Sequence, residues 1–189
     1  MMKISTKLPV VSRILLLVGA IFLGISILLP WWGLELKAPQ YPEGLSIVVH
    51  PSKLSGELDI INNLNHYIGM MEISEEGFPE LKYIPFIIGG LVALIVLNII
   101  LGYRKLAYII CLLFIIGGAL GIYDMYHWLN TFGTNLDPNA PIEVDPFIPP
   151  VIGDNTLANF TTHSSFRIGF YFLVLSVFAG TFRGRLWAE

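Results

Sequence analysis

Apolar residues in this chain collect in four runs, with long polar stretches after the first and after the third that carry most of the prolines. A hydrocarbon core of about 30 Å needs roughly 20 helical residues at about 1.5 Å each. By that measure the pattern predicts membrane spans over residues 9–29, 84–103, 106–123 and 166–182. The first contains ILLLVGAIFLGISILL with no charge inside it. The fourth is the shortest and has Arg167 at one end, where a long side chain can snorkel to the interface. Between the second and third spans, Arg104 and Lys105 read as a two-residue turn closing a helical hairpin.

Between the spans the periodicity changes. LSIVVH (Leu45 to His50) alternates Leu45, Ile47 and Val49 on one side and reads as a strand, with GLELK (Gly33 to Lys37) as a second. Pro39, Pro42 and Gly44 supply a turn between them. From Glu57 to Met71, Leu58, Ile61, Leu64, Tyr67 and Ile68 recur at helical spacing and predict a short amphipathic helix. Ser74 with Glu75 and Glu76, then Pro79 and Glu80, reads as capping and acidic chemistry leading into the second span. NLDPNAPIEVDPFIPPVIG carries five of the twelve prolines and no lysine or arginine, so it reads as an extended strap. Residues 31–82 and 128–165 thus predict an outer cap of short strands, a short helix and a proline-rich strap on a mainly α, four-helix membrane domain covering residues 1–189.

Composition agrees with that class. The chain has 189 residues, 54% hydrophobic and only 13% charged, and a mean hydropathy of +0.69. A soluble domain carries about a quarter charged residues. A net charge of −3 leaves no basic excess for nucleic acid. The single Cys111 excludes a disulfide framework. Lys3, Lys7 and Arg13 resemble a signal-peptide leader, but Pro30, Trp31 and Trp32 follow the apolar run where a small-residue cleavage site would stand. The tryptophans read as an interfacial belt, and the span as retained. With both termini inside, the inner segments hold Lys3, Lys7, Arg13, Arg104, Lys105, Arg183 and Arg185 against Glu189 alone. The outer side holds thirteen of the fourteen acidic residues, as the positive-inside rule requires. The expected location is a bacterial inner membrane, with the outer loops in the periplasm.

Candidate chemistry is confined to the outer side. His50, His66, His127 and His163 all fall there. In LNHYIGMM, His66 and Met70 are four apart, on one face if the helix continues. In YDMYHW, Met125 and His127 stand beside Asp124 at the end of the third span. Imidazole with thioether sulfur suits copper, Cu(I) above all. The alternative is that these histidines are polar interface groups and the methionines fill an apolar seam. Inside the spans, Ala20/Gly24 and Gly117/Gly121 have the four-residue spacing of close helix contacts, and packing of the four helices against each other accounts for them. Asn159-Phe160-Thr161 fits a glycosylation sequon.

As a set, PWW, APQYPEGL, DIINNLNHYIGM, FPEL, YDMYHW, NLDPNAPI and PPVIG resemble a family of small four-helix membrane proteins associated with bacterial nitrous oxide reductase gene clusters. The matched positions are Tyr41, Pro42, Glu43, Gly44, Asn65, His66, Tyr67, Gly69, Met70, Asp124, Asn135, Asp137, Pro138 and Asn139. Members of that family tend to carry a basic residue where His127 stands, so at this position the chain departs from the family's pattern. The resemblance implies an accessory to a periplasmic copper oxidoreductase or its maturation factors, in maturation, copper supply or electron delivery.

Three functions follow as expectations. The first is that accessory role, with copper on His66, Met70, Met125 and His127. The second is a non-metal scaffold or docking protein with a claudin-like outer cap. The third is a quinol-handling redox protein using Asp124 and His127 at the membrane boundary. None of them makes the chain an enzyme by any recognisable catalytic motif.

Overall fold

A computed structural model describes residues 7–157 and 160–181. The expected contributions of Lys3, Arg183, Arg185 and Glu189, the end of the fourth span at Phe182, and the sequon residue Asn159 lie outside the described residues. The architecture is mostly helical with one five-stranded antiparallel sheet.

The helices are α1 (Val10–Ser26), α2 (Leu58–Ile68), α3 (Ile84–Leu101), α4 (Arg104–Thr134) and α5 (Ile168–Thr181). The strands are β1 (Trp32–Ala38), β2 (Tyr41–Val49), β3 (Leu54–Gly56), β4 (Gly153–Leu157) and β5 (Phe160–Phe166), in the spatial order β3-β2-β1-β5-β4. α3 and α4 are long and apolar enough to cross a membrane, with mean hydropathy 2.7 and 2.4 over 18 residues, and only 17% and 11% of those stretches are buried. A soluble core helix of such composition would be covered. α1 and α5 are shorter apolar helices.

The helix ends differ from the sequence expectation for local reasons. α1 stops at Ser26, whose hydroxyl turns back to the Leu23 carbonyl at 2.8 Å before the chain leaves through Pro30. α3 stops at Leu101 because Gly102 takes φ +67. The hairpin turn is therefore Gly102 and Tyr103, and Arg104 and Lys105 already belong to the first turn of α4. α4 runs eleven residues past 123. Its 31 residues are about 46 Å long at about 1.5 Å each, so about 16 Å stands beyond a 30 Å lipid core. Phe166 and Arg167 precede α5 rather than belonging to it.

α1, α3, α4 and α5 share one core around Leu16, Ala20, Leu23, Ile88, Ile95 and Ile110, with Leu173 packed against it. The small residues do less there than their spacing suggested. Gly19 and Ala20 are buried, but a Cβ at Gly24, Gly89, Gly90, Gly117, Gly118 or Gly121 would meet nothing within 4 Å. Residues 115–123 of α4 are exposed around the whole helix.

The sheet grows directly out of α1 and α5. β1 follows α1 after five residues, β5 meets α5 through Arg167 alone, and the two strands pair antiparallel from Trp32↔Phe166 to Lys37↔Thr161. Below that pair, the Arg167 and Gly169 amides donate to the Trp31 and Pro30 carbonyls at 2.9 and 2.8 Å. A side chain at Gly169 would strike the Leu29 and Pro30 carbonyls, so glycine lets the chains cross this closely. The β1–β2 hairpin turns at Pro39 and Gln40. Pro42 and Gly44 lie inside β2, in a bulge where the register shifts, so they do not form the turn itself. β3, β4 and β5 were not anticipated: β3 has three residues, and β4 and β5 are built from Asn, Asp, Thr, Ser and His without a clear apolar alternation.

Candidate functional site

Three groups of side chains on the cap side carry the chemistry. The first lies where α2 ends. Gly69 adopts φ +76 and its amide closes onto the Asn65 carbonyl, so the helix stops at Ile68. Met70 is therefore off the helix, and His66 and Met70 do not share a helical face at the four-residue spacing. His66 is exposed in the last turn and meets the Tyr67 ring edge-on at 6.2 Å. Met70 is half-buried and its amide also donates to Asn65. The strap docks on this end. The Asp137 amide donates to Gly69 at 2.8 Å and the Ile142 amide to Tyr67 at 2.9 Å, while Asn135 Nδ2 approaches Met71 Sδ at 3.6 Å. Asp137 Oδ1 in turn accepts from the Asn139 amide and Nδ2. The strings LNHYIGM and NLDPNA thus meet each other, and a Cβ at Gly69 would fall 2.7 Å from the Asp137 carbonyl oxygen.

The second group is the projecting end of α4. Asp124, His127 and Trp128 are three and four apart and share a face; Met125 and His127, two apart, point about 200° from each other. One ion held directly by both side chains of that pair is ruled out by the helix continuing through them. His127 stacks at 6.4 Å on Tyr123, and Phe78 packs on Trp128 at 4.7 Å and on Phe132 at 5.8 Å. Asp124 is half-buried. The strap clamps the end of this helix, with the Phe147 amide donating to Gly133 at 2.9 Å, where there is no room for a side chain. It then reaches the sheet, where Val151 accepts from Trp32 Nε1 at 2.7 Å. Hence residues 128–134 are helix, and the strap proper is 135–152.

The third group crosses the polar face of the sheet. Strand register aligns Ser46, Glu35, His163 and Asp154 in one row. Glu57 accepts from the Ser46 amide at 2.7 Å and its hydroxyl at 3.1 Å, which holds its carboxyl below the usual range. Arg167 Nη2 donates to Glu35 at 2.7 Å; that hydrogen bond is the main cause of the lowered pKa of Glu35, with burial opposing it. His163 Nδ1 lies 2.6 Å from Asp154 Oδ1. An open groove of about 560 Å³ runs between Pro30, Glu35, Lys37, Glu43, Glu57 and Arg167. This row was missed in the sequence because its partners lie far apart in the chain and two of its strands had no alternation to announce them. His50 sits apart, in the turn between β2 and β3, where burial and Lys53 lower its pKa.

Among the described residues, no three or more His, Cys, Asp and Glu side chains are placed to share a metal ion. No described ring contact or hydrogen bond joins His66 to Asp124 or His127. The gap among the four apolar helices, lined by Leu16, Gly19, Ile95, Ile110, Cys111 and Ser176, measures about 20 Å³, room for about one water. Comparison with known protein families, curated proteins and solved structures finds no match to this chain.

Proposed function

We propose that the chain is a four-span inner-membrane protein with both termini on the basic side, whose cap docks a partner in the periplasm. The carrying observation is the mounting of the sheet: β1 and β5 leave α1 and α5 with almost no linker and hydrogen-bond to each other at the helix ends. A binding surface built on regular elements holds its geometry better than one on loops. The 31-residue α4, tied to the sheet by the strap, gives the cap a second support.

The resemblance supplies the partner, a periplasmic copper oxidoreductase of the nitrous oxide reductase kind or one of its maturation factors. The acidic outer face supports recognition of a basic patch. Within this reading, docking is better supported than copper carriage, because α2 ends before Met70 and Met125 diverges from His127. The test is a titration of the detergent-solubilised chain with the copper-loaded reductase and with Cu(I) alone. Docking predicts a complex weakened by salt and insensitive to the His66→Ala plus Met70→Ala pair. Stoichiometric Cu(I) that this pair abolishes would make the chain a copper carrier. Absence of any complex would remove the partner assignment. The quinol alternative stands on Asp124 beside the membrane, and redox turnover of a quinol analogue lost in Asp124→Asn would establish it.

A further inference from the structure

The sheet has two edges, and they are finished differently. Backbone groups point to alternate sides along a strand, so the bonds on one side fix which residues turn outward on the other. At the β3 edge, the Glu57 amide donates to Ser46 and the His50 amide to Lys53. Ser55 is therefore the β3 residue turned toward β2, and Leu54 and Gly56 turn outward. The outward Leu54 amide is taken by Glu75 Oε1 at 3.0 Å. β3 is also only three residues long, and Pro51 and Lys53 stand just before it. Short length, proline, lysine and a covering group are ordinary ways of closing a sheet edge.

The β4 edge has none of these. The Arg167 amide donates to Trp31, so the odd-numbered residues of β5 face β1, and Phe160, Thr162 and Ser164 face β4. Their partners there are Leu157, Asn155 and Gly153. Asp154 and Thr156 therefore turn their amides and carbonyls away from the sheet, where no described residue bonds them. Both residues are exposed, and β4 holds neither proline nor lysine. They lie opposite His163 and Thr161, about 10 and 17 Å along β5 from the foot of the sheet at Phe166. An open edge of this kind is a template for another strand.

The surroundings define that strand. Between Lys105 and Arg167 the chain carries Asp124, Asp137, Glu143, Asp145 and Asp154, and no lysine or arginine. Asp154 ends the row that runs from Ser46 through Glu35 and His163. Its side chain is 83% exposed, and only Oδ1 has a partner among the described residues. A strand laid beside β4 sets a side chain next to Asp154 on that face, where a cation is favoured and a carboxylate is not. A second copy of this chain does not fit the edge. Antiparallel β4–β4 pairing turns the second sheet end for end and takes its helices out of the bilayer.

We propose that β4 is the docking edge: an extended segment of the periplasmic partner, with lysine or arginine opposite Asp154, adds to it as a sixth strand. This rests on the docking reading and states how the partner is held. Main-chain bonds to Asp154 and Thr156 supply affinity, and the Asp154 face selects the partner.

The test is hydrogen exchange and affinity in the detergent-solubilised full chain, with the copper-loaded reductase as the probe. The Asp154 and Thr156 amides are expected to exchange freely in the unbound chain and to become protected in the complex, with Leu54 unchanged. Thr156→Pro removes an outward amide and no bond to β5, so an edge strand tolerates it. It is expected to weaken the complex about tenfold. Thr156→Ala keeps the amide and is expected to bind like the unaltered chain, which separates backbone pairing from side-chain contact. Asp154→Asn is expected to weaken the complex and reduce its sensitivity to salt. A complex in which both amides still exchange freely, or one that Thr156→Pro leaves at full strength, overturns the proposal and leaves docking through another surface. Crosslinking of two chains through β4 would give the edge to a second copy and overturn it as well. Absence of any complex with the unaltered chain removes the docking reading and this proposal together.

Discussion

At the scale of single residues, Gly69 carries two demands at once. Its φ of +76 disfavours any side chain, and its neighbour Asp137 leaves no space for one. Gly69→Ala is expected to cost about 1–3 kcal/mol, the usual range for a strained backbone position, and thermal unfolding of the cap reads it directly. Glu35 makes a second prediction. Its pKa is lowered in the fold by Arg167, so its contribution to stability is full above the ordinary carboxylate range. It is lost as pH falls, because the unfolded carboxylate binds its proton first. Both partners are about a third or more exposed, which limits the pair to about 0–1 kcal/mol. Glu35→Gln is therefore expected to lower stability slightly at pH 7 and not at all once pH lies below the folded pKa, measured as melting temperature against pH.

At the scale of elements, the unusual one is α4. Apolar residues carry it through 123, and the pattern then turns aromatic and polar without a breaker: Asp124, Tyr126, His127, Trp128 and Phe132 continue with helical contacts until Asn135. Hydropathy falls after 123 while the helix goes on to Thr134, because hydropathy reports the lipid boundary and not the helix boundary. The same limit explains β4 and β5, whose polar strands are held by pairing to β1 rather than by an apolar stripe. By contrast β1 and β2 were legible, since Leu34, Leu36, Leu45 and Ile47 alternate. The histidine–methionine spacing was legible as letters only; Gly69 decides its geometry, and glycine after Ile68 was the available signal for a helix end. Phe78 is the side chain that pins the α4 projection. Phe78→Ala is expected to loosen it by about 1–3 kcal/mol and to raise protease cleavage within residues 135–152, followed by limited proteolysis.

At the scale of the whole molecule, the chain is sorted by charge along the helix axes. Lys7, Arg13, Arg104 and Lys105 gather at one end, and the sheet, α2 and the strap with their carboxylates gather at the other. α1, α3, α4 and α5 run between the two, and the open glycines and exposed apolar residues of α3 and α4 face outward into what the four-span reading makes lipid. The docking proposal depends on which end meets the cytoplasm. Thiol labelling of intact cells answers that most directly, with Cys111→Ala as background and one new thiol at a time. Ser52→Cys, beside β3, is predicted to react with an impermeant reagent from outside, and Lys105→Cys to react only after the inner membrane is opened. Labelling of Lys105→Cys in intact cells, or protection of Ser52→Cys, would contradict the account.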